Sequence, residues 1–165
     1  MIFSNRCIVI EGPDGSGKST LANKIKEKYG YAIISSGGPS KSTEEITQRT
    51  RRLIGLQKVS TSIVFDRHPL ISHPIYSKWG HEILEYKELL KVFLDPSIRP
   101  VFIFCQGKMS HLGDQVLKEY DTKDHLSYVT KEYERILKNY ERLSLKYADI
   151  IYRKGKSTIF GGIEK

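Results

Sequence analysis

Short apolar runs alternate along this chain with longer segments in which apolar residues recur every three or four positions. That alternation predicts a parallel α/β sheet, in which buried strands are joined by helical crossovers. Strands are predicted over Arg6–Glu11, Tyr31–Ser35, Thr61–Asp66, Arg99–Cys105 and Asp149–Arg153. Helices are predicted from Lys18 to about Tyr29, from Thr43 to about Lys58, and over His81–Leu94, the last stopped by Asp95-Pro96. Ser42 or Thr43 is placed to cap the second helix, with Glu44 and Glu45 in its first turn. Pro69–Trp79, followed by Gly80 and interrupted by Pro74, predicts only a helical turn or two. The strongest helical period starts near Asp124 and runs through Leu126, Val129, Tyr133, Ile136, Leu137, Tyr140, Leu143 and Tyr147. Before it, Gln106–Asp124 is rich in Gly, Lys and Asp and reads as a surface excursion holding a short helix.

The chain has 165 residues, a length for one domain, and no repeat, linker or low-complexity segment divides 1–165. With 39% hydrophobic and 28% charged residues it is neither disordered nor fibrous. Its longest apolar runs are too short to span a bilayer, and the N-terminal stretch lacks the apolar region of a signal peptide, so a soluble, cytoplasmic protein is expected. Cys7 and Cys105 each lie inside an apolar run, which predicts buried, reduced thiols. The net charge of +8 favours an anionic partner without choosing between a nucleotide, a nucleic acid and a lipid headgroup.

Chemistry enters with Gly12-Pro13-Asp14-Gly15-Ser16-Gly17-Lys18-Ser19-Thr20, which matches G-x-x-x-x-G-K-[ST] between a strand and a helix. Glycines at 12, 15 and 17 let the backbone wrap so that N–H groups point at phosphate oxygens, and the following helix aims its positive end at the same anion. Lys18 reaches the β- and γ-phosphates and the Ser19 hydroxyl is placed to ligate Mg²⁺, so the loop predicts a nucleoside triphosphate site. Gly155-Lys156-Ser157-Thr158 repeats the ending, but Ile150 stands where the first glycine belongs, and no second loop is expected.

Ile63-Val64-Phe65-Asp66-Arg67 is an apolar strand ending in a carboxylate followed by an arginine. In an open parallel sheet ligands gather at the carboxyl ends of strands. Asp66 is therefore expected beside the phosphate loop, holding Mg²⁺, and Arg67 is expected to bridge phosphoryl groups.

Glu11–Thr20 together with Phe65-Asp66-Arg67 resembles the thymidylate kinase branch of nucleoside monophosphate kinases. Asp66-Arg67-His68-Pro69 and Tyr120-Asp121-Thr122-Lys123-Asp124-His125 resemble the compact deoxynucleotide kinases of bacteriophages. The resemblance implies a three-layer αβα P-loop kinase fold with a five-stranded parallel sheet and a lid over about 106–124 that closes on ATP. It implies that Asp14 reaches the acceptor sugar and that Arg67 clamps acceptor and donor phosphates. It places the acceptor monophosphate near the second helix, where Arg49 and Arg52 share a face and either grip one phosphate together or form a solvated basic face; His68, adjacent to Arg67, is expected near the acceptor. It also allows a homodimer, and a host-cytoplasmic location if the chain is phage-encoded. Relatives without an arginine in the phosphate loop supply arginines from the lid; here the lid offers only Lys108, His111, Lys118 and Lys123. A lysine takes that role, or an arginine arrives from elsewhere: Arg49, Arg51, Arg52 or Arg135. Trp79, Tyr76 and Tyr86 either stack on the acceptor base or serve as core. The five histidines show no metal-ligand spacing.

The acceptor follows from proton chemistry. A sugar hydroxyl needs a general base, whereas a nucleoside monophosphate already carries an anionic oxygen. After the second strand the chain offers Ser35-Ser36-Gly37-Gly38-Pro39 and no carboxylate before Glu44, which favours a monophosphate. A deoxynucleoside or small-alcohol kinase, with Asp14 or Asp66 as base, is the alternative. A switch GTPase is disfavoured because no guanine reader follows Val101–Cys105. A nucleic-acid ATPase is disfavoured because Tyr133 and Tyr140 lie on an apolar stripe and not among the basic residues. The expected reaction is ATP- and Mg²⁺-dependent transfer to a (deoxy)nucleoside monophosphate.

Overall fold

The computed structural model describes residues 6–76, 81–108 and 123–155, with backbone alone at 123–126 and 128. Five strands, β1 (Ile8–Glu11), β2 (Ala32–Ser35), β3 (Ile63–Asp66), β4 (Val101–Cys105) and β5 (Ile150–Tyr152), form one sheet in the order β2-β3-β1-β4-β5. Every pairing is parallel, with Ile8 facing Val64 on one side and Val101 on the other. The helices are α1 (Lys18–Tyr29), α2 (Thr43–Val59), the single turn α3 (Pro69–Ser72), α4 (Tyr86–Phe93) and α5 (Lys123–Tyr147).

Side-chain alternation along the central strand builds both layers. Ile8 and Ile10 pack with Leu21, Ala22 and Ile25 of α1, whereas Val9 faces the opposite layer formed by α2, α3, α4 and α5. β1 is fully buried and reads as a continuous apolar run that stops at Glu11. Cys7 and Cys105 are free and buried, as the composition led us to expect.

Most helix boundaries follow their sequence signals. Ser42 caps α2, its hydroxyl accepting from the Glu45 amide at 3.0 Å. The exception is α4, which begins at Tyr86 and not at His81. There the amide of Leu84 donates to Thr47 Oγ1 at 2.9 Å, Ser40 Oγ meets His81 Nδ1 at 2.9 Å, and Glu85 takes a left-handed φ of 55°. Contacts with neighbouring segments thus take up groups that a longer helix would have used. β4 starts two residues late because Pro100 has no N–H to donate; Val101 makes the first bond, to the Cys7 carbonyl.

Candidate active site

The carboxyl ends of β1 and β3 converge on the Gly12–Gly17 loop. Gly12 has φ +152°, and a Cβ there would lie 2.5 Å from the Cys105 carbonyl oxygen. Gly17, at φ +90°, is the N-cap of α1 and supplies no capping side chain. No acidic residue occupies the first turn of α1, so nothing in it competes with an anion for the helix's positive end. Lys18 is buried; its Nζ donates to the Pro13 carbonyl at 2.7 Å, and Ser16 Oγ donates to the same oxygen at 2.7 Å. Thr20 is exposed at the outer edge of α1.

Ser19 Oγ donates to Asp66 Oδ2 at 3.0 Å, joining the start of α1 to the end of β3. A hydroxyl and a carboxylate at that spacing are hard oxygen donors of the kind Mg²⁺ accepts together with water and substrate phosphates. No group of three or more His, Cys, Asp or Glu suited to a metal occurs among the described residues. A metal here would rest on two protein oxygens and the nucleotide.

Across the loop lies a buried polar network. Arg67 Nη2 donates to Asp14 Oδ1 at 2.6 Å, and Tyr76 donates to Asp14 Oδ2 at 2.7 Å. The guanidinium also lies over the Tyr76 ring, 5.2 Å from its centroid. Tyr133, from α5, donates to the Asp14 carbonyl at 2.6 Å. Beneath them Glu11 is fully buried; its Oε1 accepts from the His68 amide at 2.6 Å and its Oε2 from Tyr140 at 3.1 Å. Burial pushes the Glu11 carboxyl up to about 7, against the opposing pull of Arg67.

The expectation for His68 does not match this arrangement. Its imidazole is fully buried, stacks on Phe93 with centroids 4.2 Å apart, and accepts from the Leu70 amide as the cap of α3. Burial lowers its pKa to about 3, which keeps it neutral in the core. The β3–α3 turn points Arg67 toward the loop and therefore turns its neighbour inward.

Arg49 and Arg52 do not form a joint grip. Arg49 donates to the carbonyls of Ser36 and Gly38 at 2.9 and 2.8 Å and pairs with Glu45, bracing the loop after β2, while Arg52 is exposed. Arg51 pairs with Glu85, and Arg135 with Glu132. Tyr86 donates to the Leu70 carbonyl and packs against the core. Lys108 is exposed. Trp79, His111 and Lys118 lie outside the described residues, as does the Lys123 side chain.

The sequence patterns did not reveal the functions of Tyr133 and Tyr140. Both fill core positions as their period predicts, but the Tyr133 hydroxyl reaches the phosphate loop at Asp14 and the Tyr140 hydroxyl reaches Glu11 at the end of β1. The available signal was tyrosine, not phenylalanine, on a buried stripe, because a buried phenol needs a partner. Lys154, after β5, was also unread: its Nζ donates to the Gly15 carbonyl at 3.3 Å and its stem covers Gly17.

No protein-family model matches this sequence. A stretch of 51 residues, 31% of the chain, is 47% identical to part of an adenylate kinase from Pyrococcus horikoshii, and that stretch spans only 22% of the adenylate kinase. Among solved structures, the YorR protein of Bacillus subtilis, in complex with phosphorylated GDP, aligns over 96% of this chain and 95% of its own, with a TM-score of 0.69 and 19% identity. The deoxyadenosine kinase of M. mycoides with bound dATP covers 96% of this chain and 100% of its own, with a TM-score of 0.63 and 15% identity. Shikimate kinase from Acinetobacter baumannii, in complex with shikimate, covers 94% and 87%, with a TM-score of 0.56 and 14% identity. These likenesses, with the five-stranded parallel sheet and its flanking helices, show that the chain has the P-loop kinase fold.

Proposed function

We propose that this chain is a kinase that transfers the γ-phosphoryl group of ATP, with Mg²⁺, to a (deoxy)nucleoside monophosphate, giving the diphosphate. Lys18 and the amides of the Gly12–Gly17 loop hold the donor phosphates. Ser19 and Asp66 hold the metal, which when bound neutralises charge on the phosphoryl oxygens. Arg67 bridges acceptor and transferring phosphates, and Asp14 faces the acceptor sugar. Arg49, which braces the loop after β2, shapes the acceptor side of the cleft.

The observation that carries this reading is that Asp14 is engaged at both carboxylate oxygens. One carboxylate oxygen accepts from Arg67 and the other from Tyr76, so an attacking hydroxyl would have to share either oxygen with a donor already on it. Asp66 is engaged by Ser19, and the loop after β2 carries no carboxylate. A monophosphate brings its own anionic oxygen and asks only for positive charge and alignment, which Arg67 supplies.

The similarity to the deoxyadenosine and shikimate kinases favours a second reading, a hydroxyl acceptor. One assay separates the two. The purified protein is incubated with ATP and Mg²⁺ against ribo- and deoxynucleosides and their monophosphates, and the products are separated by chromatography. Diphosphate formed from one or a few monophosphates is the expected result and names the base. Monophosphate formed from free nucleosides would move the assignment to the hydroxyl acceptors. ATP hydrolysis alone would overturn both.

A further inference from the structure

A glutamate stands where the central strand ends, fully buried, after Ile8, Val9 and Ile10. Burying a carboxylate there is unfavourable unless its oxygens are satisfied, and an apolar residue would have continued the strand without that penalty. What the carboxylate holds is the turn that carries Arg67. That residue has φ 69°, a left-handed conformation that non-glycine residues adopt only when their surroundings enforce it. The peptide unit before its Cα is held by the Arg67 N–H donating to the Ile10 carbonyl at 3.0 Å. The peptide unit after it is held by the His68 N–H donating to Glu11 Oε1 at 2.6 Å. Both peptide planes flanking Arg67 are therefore fixed from consecutive residues of β1, and the side chain that leaves this turn reaches Asp14.

We propose that Glu11 is the positioning residue for Arg67: its carboxylate locks the left-handed turn that aims the guanidinium at Asp14 and at the acceptor phosphate. The inference rests on the assignment of Arg67 to the transferring phosphates. The second oxygen of Glu11 accepts from Tyr140 of α5. A purely structural Glu11 would act through that contact, and the two roles separate experimentally.

The test compares Glu11→Met, which keeps the volume without the acceptor, with Glu11→Gln, which keeps an acceptor for the His68 amide, and with Tyr140→Phe. Glu11→Ala is the smaller replacement should Glu11→Met not fold. In the monophosphate assay Glu11→Met is expected to lower kcat/KM roughly ten- to a hundredfold, the size of a lost hydrogen bond at a charged group. Glu11→Gln and Tyr140→Phe are expected to stay within about threefold of wild type. Combined with Arg67→Ala, Glu11→Met should add no further loss, because its effect runs through the arginine. An equal loss in the Arg67→Ala background, or a loss in Tyr140→Phe matching that of Glu11→Met, would overturn the proposal. Crystal structures of the Glu11→Met or Glu11→Ala and Glu11→Gln proteins decide the matter independently of turnover. Residue 67 should leave the left-handed region and part from Asp14 without the acceptor, and keep both with Gln. Arg67 unmoved in the variant that lacks the acceptor overturns the proposal, whereas a wild-type protein inactive on every monophosphate overturns only the proposed reaction.

Discussion

Arg67 and Asp14, 53 positions apart in the sequence, meet at 2.6 Å, with the aspartate side chain 3% exposed and the arginine 22% exposed. One edge of the guanidinium is therefore committed to the phosphate loop, while part of it remains open toward solvent. This ties the turn that follows Asp66 to the loop that precedes Lys18. A planar fork suits that double duty, because it offers parallel N–H groups to more than one oxygen.

Replacing the fork with a point charge should therefore be costly even though the net charge is unchanged. R67K is expected to lower phosphoryl transfer by roughly 10²- to 10³-fold, the usual size of a lost transition-state donor. Steady-state kinetics with the best acceptor check this, and near-normal turnover would remove Arg67 from the mechanism.

Lys18 is buried and its Nζ donates to the Pro13 carbonyl, which sets its charge against the Gly12–Gly17 loop. K18A should reduce turnover by roughly 10²-fold or more while the protein remains folded. Turnover measured beside a circular-dichroism melt separates the two effects. A K18A protein as active as wild type would contradict the phosphate-loop mechanism.

The loop's backbone makes its own prediction. G12A places a Cβ against the Cys105 carbonyl at a φ of +152°, and should destabilise the fold by at least about 1–3 kcal/mol. At Gly38 a Cβ would meet nothing within 4 Å, and G38A should leave the melting temperature nearly unchanged. Paired thermal melts of the two variants test the contrast; equal shifts would mean that the Gly12 geometry is wrong.

Glu11 gives stability a pH dependence of defined sign. Its folded pKa, about 7, lies above the ordinary 4.5, so the fold prefers the protonated acid. That contribution is fully present below about pH 4.5 and is lost as pH rises through about 7. His68, lowered from 6.5 to about 3, has the opposite sign and adds stability as pH rises toward 6.5. His68 is common to wild type and E11Q and cancels in their difference. Denaturant unfolding at pH 5 and pH 8 should show wild type losing stability relative to E11Q at the higher pH. A pH-independent difference would mean that Glu11 titrates like an exposed carboxylate.

The local elements were legible because their determinants are local. Alternation, helical period, the Ser42 cap and the glycine spacing of the phosphate loop each act over a few residues, and the predicted strands and helices form close to where they were expected. α4 is instructive as the exception. The sequence predicts a start at His81, but Thr47, from another helix, takes the amide of Leu84, and the helix begins at Tyr86. Helix propensity is too weak to compete with a well-placed tertiary hydrogen bond.

The same division runs through the site. By itself the sequence determined a phosphate loop between a strand and a helix, a strand-end carboxylate with Arg67 behind it, and the class of fold that brings them together, because each is written in adjacent residues. Only the tertiary structure decided that His68 faces the core, that Arg49 braces a loop, and that phenols from Tyr76, Tyr133 and Tyr140 converge on Asp14 and Glu11. Those outcomes depend on which side chains meet across elements up to 129 positions apart. Periodicity tells which face of a helix is buried, but not which buried polar atom it will find there; that is set by how strands and helices register once the core has packed.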